Sequence, residues 1–525
     1  MEEYRGLAWT IFVLYIVITT GLAIVGMLKT KDLRSFAIGN GDMGPVLVGI
    51  TLAASVASTA TFVINPGFVW KDGVAALLHF GVATAGGVTL GIIVLSKGFR
   101  RVGTRTEALT LPHWIGARFD SVWMRTYFAL LNLALAISFV VLIIKGSALV
   151  MGVTLGMSYV PSVFLVVGFV FSYILVGGTY AHAFTNAFQG SIMVLVALAI
   201  FGSGLYLFGE ETGFFAKLAA EDANLVTAVN PKSVLFNDYY TVFFCGFIVG
   251  IGLVCQPHIL MKSLYLKSDK DVNMYLLVYT IIGGIFALIL VAGLYARITM
   301  PEYDGAQDAV MAVYIAQAFH PIVAVLISVA LLAAGMSTMD SILVSASTIA
   351  GSDLFNGVLG QTLLPKKTDE ERAKLALWAS RIILVGMAVI SLIIAVDPPT
   401  FVGIFAQLGV YGLVAASMAP VTLGIFFKNV PKGAAFAGAV VGPIVHFGHY
   451  FAYCYEFVDE ARAAELTAAG MAVEPGLRQT AFLNPAVSAT SGALVSLLIV
   501  GAGVVIALQK RATPEVAETE DGDHG

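Results

Sequence analysis

Apolar runs of about 20 residues, the length that crosses a bilayer as a helix, recur along almost the whole chain. Short charged or Pro/Gly-rich stretches separate them. The pattern predicts thirteen spanning helices, near residues 7–27, 45–70, 74–97, 122–153, 158–178, 183–208, 240–262, 272–296, 320–350, 377–396, 400–427, 432–453 and 484–509. The first run is followed by basic residues rather than a small-residue cleavage site, so it reads as a retained helix and not a signal peptide. Lys and Arg supply an independent check. With the N-terminus outside, twenty-one of the 29 fall in inside segments, Lys262 among them, and seven fall outside. That asymmetry predicts an N-out, C-in topology, which an odd number of spans satisfies. The remaining cation, Lys145, lies well within the fourth predicted helix.

Composition agrees with this picture and narrows it. Hydrophobic residues make up 58% of the 525, charged residues 12%, and the mean hydropathy is +0.89, far from what a soluble domain needs to stay solvated. The chain reads as an all-α integral membrane protein, multi-pass, of the plasma membrane (a bacterial inner membrane). A net charge of −4 gives no sign of nucleic-acid binding, and Cys245, Cys255 and Cys454 suggest neither a disulfide framework nor a metal cluster. The acidic tail over 510–525 reads as disordered, and residues 352–376 read as a loop with room for a short surface helix.

Polar side chains inside apolar spans are where function is expected, because their burial must be offset. On the 320–350 helix, Ser337, Ser341, Ser345 and Thr348 recur at helical spacing as a narrow stripe, with Thr338 beside it and Asp340 off it. A lone Ser or Thr there is most simply helix glue. The adjacent pair Ser337-Thr338 differs, since two neighbouring hydroxyls present hard oxygens to one small cation. The second polar span, "GITLAASVASTATFVINPGFVWKDG" from Gly49, has four hydroxyls in Ser55–Thr61, then Asn65 and a Pro66-Gly67 breaker. Broken helices in lipid expose carbonyls that line cavities and ligate sodium. Two accounts of Lys145 stand open: a lysine whose stem reaches the interface, or an ammonium at the cavity that faces an anionic substrate or pairs with Asp340. His79 is a coupling candidate that more simply packs as a neutral histidine.

The stretches "ASVASTATFVINPG", "GGTYAHAFTNAFQG", "CQPHILMKSLYLKSDKDV" and "AAGMSTMDSILVSAS" resemble the sodium:solute symporter family, over nearly the whole chain. The resemblance implies a LeuT-like core of two inverted five-helix repeats, over 45–208 and 240–427. One extra helix precedes it (1–44), an outer loop separates the repeats (209–239), and two helices follow (428–509). It implies a sodium site made of the carbonyls of Ala54, Ala57 and Ala334 with the hydroxyls of Ser337 and Thr338. Some relatives hold a second sodium with an aspartate where this chain has Asn186, so one sodium per cycle is expected. Substrate contacts are expected from Ser58, Thr61 and Phe62, with Gln256 and Gln407, and with Lys145 toward an anion. The aliphatic "GIGLVCQPH" argues against proline. The expected function is sodium-coupled symport of a small organic solute, a carboxylate, by alternating access. It needs no nucleic acid and no obligate protein partner, only its substrate and lipid. The alternatives are a proton-coupled carrier of the same fold, using Lys145, Asp340 or His79, and a transporter-like solute sensor. No spacing suggests an enzyme's catalytic pair.

Overall fold

The computed structural model describes residues 2–31, 33–359, 367–471 and 473–512. It is helical throughout, apart from one short antiparallel hairpin, Tyr455–Val458 with Gly476–Gln479, that the sequence pattern did not suggest. Among the described residues ten helices are long and apolar enough to cross a membrane, or up to twelve if each of two bent pairs counts as one span. The fifth predicted span corresponds to a shorter apolar helix, Tyr159–Ser172. A non-helical Gly178 (φ 64°, ψ −166°) separates it from the next, a conformation open to glycine because it lacks a Cβ. The tail from residue 513 and the loop residues 360–366 lie outside the described residues; residues 349–359 continue the preceding helix rather than forming loop.

The two bent pairs organise the centre. Pro45–Val56 and Ala60–Asp72 meet at 55°, and Tyr240–Leu253 and Pro257–Tyr265 meet at 63°. The first bend therefore lies near Ser58, not at the Pro66-Gly67 breaker, which sits inside the second half-helix. The local cause is legible. The Ala60 N–H donates to Ser58 Oγ at 3.0 Å, and the Phe62 N–H donates to the Ser58 carbonyl at 3.1 Å. A serine capping a new helix in this way satisfies its first free donors. Pro66 is tolerated because it follows a π-helical turn, Ala60–Ile64, in which the Asn65 N–H reaches back to the Ala60 carbonyl and the usual hydrogen-bond ladder is already shifted. The second bend follows the same rule, with Gln256 extended and Pro257 opening the next helix.

The helix Pro321–Thr348 runs through the middle and is buried almost continuously from Ala324 to Thr348. It packs on the first bent pair and on the helix that follows Gly178. The N-terminal helix Arg5–Lys29 packs on the same neighbour at Gly26, where an added Cβ would meet the Ala181 backbone at 2.3 Å. Small residues let membrane helices approach this closely.

Candidate functional site

At the break of the first bent pair, helical geometry no longer uses every carbonyl, and the central helix supplies the replacement donor. Ser337 Oγ is 2.7 Å from the Ala54 carbonyl and 2.8 Å from the Ala334 carbonyl. Next to it the hydroxyl of Thr338 is buried without a hydrogen-bond partner. Leaving a buried hydroxyl unpaired is unfavourable by about 1–3 kcal/mol, so a group waiting for a ligand is a physical account of it. Ala57 ends the first half-helix in an extended conformation (φ −83°, ψ 93°). A hard monovalent cation suits such a set of oxygens.

The cavity beside this break has a volume of about 190 Å³. Ser58, Thr61, Asn65, Gln256, Gln407 and His258 give it polar atoms, while Phe80, Phe139 and Phe286 give it apolar walls. None of its lining residues is Asp, Glu, Lys or Arg. Four expected contacts (Ser58, Thr61, Gln256 and Gln407) are thus brought together. Two are not. Phe62 is fully buried and turns its ring onto Phe286 at 5.4 Å, one layer behind the cavity wall.

Lys145 departs further from expectation. Its Nζ lies 2.9 Å from Asp308 Oδ2, with the carbonyls of Pro399 and Thr400 at 3.4 and 3.3 Å. It therefore neither lines the cavity nor pairs with Asp340. A helix-embedded ammonium needs a counter-charge, and Asp308, in a polar loop segment, gave no sign in the sequence of being that partner. His79 also has a structural setting. Its Nδ1 lies 3.1 and 3.2 Å from the Thr241 and Val242 carbonyls, and its ring packs on Phe80 and Phe236. It is not among the cavity residues.

Asn186 and Asp340 sit close to the Ser337 region. Asn186 Nδ2 donates to Ser55 Oγ at 3.0 Å and to the Ser337 carbonyl at 2.9 Å, leaving Oδ1 buried and unpartnered. Thr185 Oγ1 donates to Asp340 Oδ2 at 3.1 Å. The residue that sequence reasoning placed wrongly is Lys262. Counted there as an inside-loop cation, it is 1% exposed and enclosed by protein. Its Nζ lies 3.0 Å from His182 Nε2, 3.0 Å from the His258 carbonyl and 3.3 Å from Ser341 Oγ. Only the bend at Gln256, which turns a short half-helix inward, accounts for that burial.

Two broken helices facing each other across a small cavity, with a hydroxyl-bearing central helix against one break, define a secondary transporter of LeuT-like fold. A sodium-coupled sialic acid symporter, solved in a substrate-bound outward-open state, superposes with a TM-score of 0.71 at 16% identity, covering 95% of this chain and 98% of that one. A nucleobase-cation-symport-1 family transporter superposes at 0.53 with 12% identity, covering 90% and 95%. At these identities the likeness concerns the fold.

The sequence model of the Sodium:solute symporter family matches residues 36–442, and the chain belongs to that family. It is 26% identical to the sodium/pantothenate symporter of Haemophilus influenzae, over 82% of this chain and 87% of that protein. It is 23% identical to the sodium/proline symporter of Escherichia coli, over 81% and 84%. The protein is thus a multi-pass membrane transporter rather than an enzyme, and its family supports sodium as the coupling ion.

Proposed function

We infer that this chain imports a small organic solute with one sodium ion per cycle, the ion being held by the carbonyls of Ala54, Ala57 and Ala334 and the hydroxyls of Ser337 and Thr338. The observation that carries this reading is the Ser337 hydroxyl bridging Ala54 and Ala334 beside the unpartnered Thr338 hydroxyl. Sodium replaces those hydrogen bonds with ion–oxygen contacts, drawing the central helix and the broken span together. That assembly fixes the Ser58–Thr61 turn at the cavity and raises affinity for the solute. By linkage the solute tightens sodium binding by the same factor. Inside the cell, separation of Ser337 and Thr338 from the break releases both. The N-terminus faces outward in this reading, as the charge asymmetry favours.

The solute is a small carboxylate, but Lys145 is not what receives it. With no Asp, Glu, Lys or Arg in the cavity lining, the carboxylate faces the half-helix N-termini that begin at Ala60 and Pro257, whose dipoles favour negative charge. Gln256, Gln407, Ser58 and Thr61 hydrogen-bond the remainder. The test is uptake into proteoliposomes of a panel of labelled short monocarboxylates, pantothenate, proline and sialic acid. Accumulation of a carboxylate driven by an inward sodium gradient and lost in Ser337→Ala and Thr338→Ala is the expected result. Accumulation driven by a pH gradient without sodium overturns it in favour of the proton-coupled alternative, for which Asp340 is the remaining membrane acid among the candidates.

A further inference from the structure

The N-terminal helix Arg5–Lys29 runs out in a charged segment, "KTKDLR" from Lys29, with three cations and one acid. The chain then enters the first bent pair at Pro45. Where these elements meet the helix after Gly178 there is a separate cavity of about 630 Å³, which shares no lining residue with the cavity at the break. Lys29 and Lys31 line it from the end of the N-terminal helix and the loop that follows, Leu47 from the bent pair, and Tyr180 and Phe184 from the helix after Gly178.

The polar side of this cavity is positive. Lys29 Nζ lies 5.0 Å from the centroid of the Phe184 ring and 5.9 Å from that of Tyr180. Ring faces attract an ammonium but offer its N–H groups no oxygen. Among the described residues neither Lys29 nor Lys31 has a carboxylate partner. The one acid in the lining, Asp42, accepts the Tyr180 hydroxyl at 2.7 Å. Two ammonium groups against one carboxylate leave an excess of positive charge. The other side is apolar and continuous with lipid. Leu28 lines the cavity and is exposed, and Val17 and Ile24, at helical spacing from it, are exposed on the same face of this spanning helix. A water-soluble anion would meet the charge alone, whereas a lipid meets both surfaces.

We propose that this cavity binds an anionic phospholipid, with the phosphate at Lys29 and Lys31 and the acyl chains along Leu28 and the exposed face that continues to Ile24 and Val17. Basic residues at the end of a spanning helix attract anionic headgroups in this way. The position gives the lipid something to act on. Leu47 belongs to the half-helix that ends beside Ala57, and Phe184 to the helix that carries Asn186. An occupied cavity therefore ties the end of the N-terminal helix to two elements of the core. The site stands apart from the sodium reading and does not depend on it.

The test titrates the purified full-length protein in detergent with phosphatidylglycerol, phosphatidylcholine or inorganic phosphate, counting bound lipid by mass spectrometry of the intact complex. Wild type is expected to bind phosphatidylglycerol at least about tenfold more tightly than phosphatidylcholine, and Lys29→Gln combined with Lys31→Gln to lose that preference. Lys428→Gln combined with Lys432→Gln, the same charge removed at exposed lysines outside the cavity, should keep it. Equal affinity of wild type for the two lipids overturns the proposal, as does a folded, monodisperse Lys29/Lys31 variant that retains the preference. Equal loss in the Lys428/Lys432 variant overturns it too, by showing that overall charge suffices. Displacement of the lipid by inorganic phosphate at matched concentration assigns the site to a free anion and overturns the lipid. If the Lys29/Lys31 variant does not fold, wild type decides: with phosphatidylglycerol at about ten times its Kd, acylation of Lys29 and Lys31 should slow about tenfold and that of Lys428 and Lys432 should not. Unchanged acylation at Lys29 and Lys31 overturns the proposal.

Discussion

Lys145 and Lys262 are both lysines held among the helices, and their surroundings differ in the way that matters. Lys145 meets a carboxylate directly, at 2.9 Å, in a region where the two side chains remain 14% and 10% exposed. Lys262 is enclosed by His182, the His258 carbonyl and Ser341, and Ser341 in turn donates to the Ser337 carbonyl at 3.2 Å beside the proposed ion site. The first arrangement ties a helix to a neighbouring loop. The second places a buried lysine one hydrogen bond from the helix that carries Ser337. An apolar sequence context thus signals that a charge is expensive to bury, without saying whether its partner is structural or functional.

The largest effect expected from this contrast is on transport. Lys262→Ala strips the buried His258 carbonyl and Ser341 hydroxyl of a donor, a loss of about 1–3 kcal/mol for each group left unpaired, so sodium-driven uptake should fall at least about 30-fold. Lys145→Ala should act on stability instead. Partial exposure screens the pair, so about 1–2 kcal/mol is lost, with uptake per folded molecule within about threefold of wild type. Adding Asp308→Ala should recover part of that stability. Measured together by uptake and thermal unfolding, a reversal of this order breaks the comparison.

Gly335→Ala sharpens it from the side of the central helix. An added Cβ would lie 2.5 Å from Thr59 Oγ1 and 2.7 Å from Ser147 Oγ. Both hydroxyls are buried and unpartnered. Overpacking of this kind is unfavourable by about 1–3 kcal/mol. Pushing the central helix off the break two residues before Ser337 should weaken sodium binding about tenfold, measured by equilibrium binding. Unchanged affinity would mean that the two helices approach less closely than described.

The smallest effect concerns a buried base outside the spans. His113, in the short helix Leu111–Arg118, is pushed down to about 4, first by burial and second by the Arg125 guanidinium. The unfolded chain takes up this proton near pH 6.5, so between pH 6.5 and 4 the unfolded state binds more protons and stability falls as pH falls. His113→Gln should flatten that limb, seen as a melting midpoint that varies by about 2 °C less over the window. A limb of the same slope in the variant would assign it to other groups.

What was legible in the sequence follows the same physics. Hydroxyls in the apolar runs of Gly49 onward and of the central helix stood out because lipid offers them no partner, and Ala54 and Ser337 do meet. Ser58, Thr61, Gln256 and Gln407 were recognisable for a similar reason, and they share a cavity. Direction was not legible. Phe62 neighbours Thr61 in sequence, yet the helical turn sends its ring to Phe286. Nor was the 63° bend that carries Lys262 inward: read along the chain, that lysine stands at a span's end, where an exposed cation is the ordinary outcome. Asp308 was hidden by its polar loop, since only the fold brings it to Lys145.

Radioactive sodium binding to the purified wild type, Ser337→Ala and Thr338→Ala proteins tests the central claim most directly. Wild type should bind one ion saturably, and each variant should lose at least about tenfold in affinity, the effect of removing one ligand hydroxyl. Saturable binding that both variants retain at wild-type affinity would contradict it, and would return the hydroxyls of the central helix to the role of packing contacts.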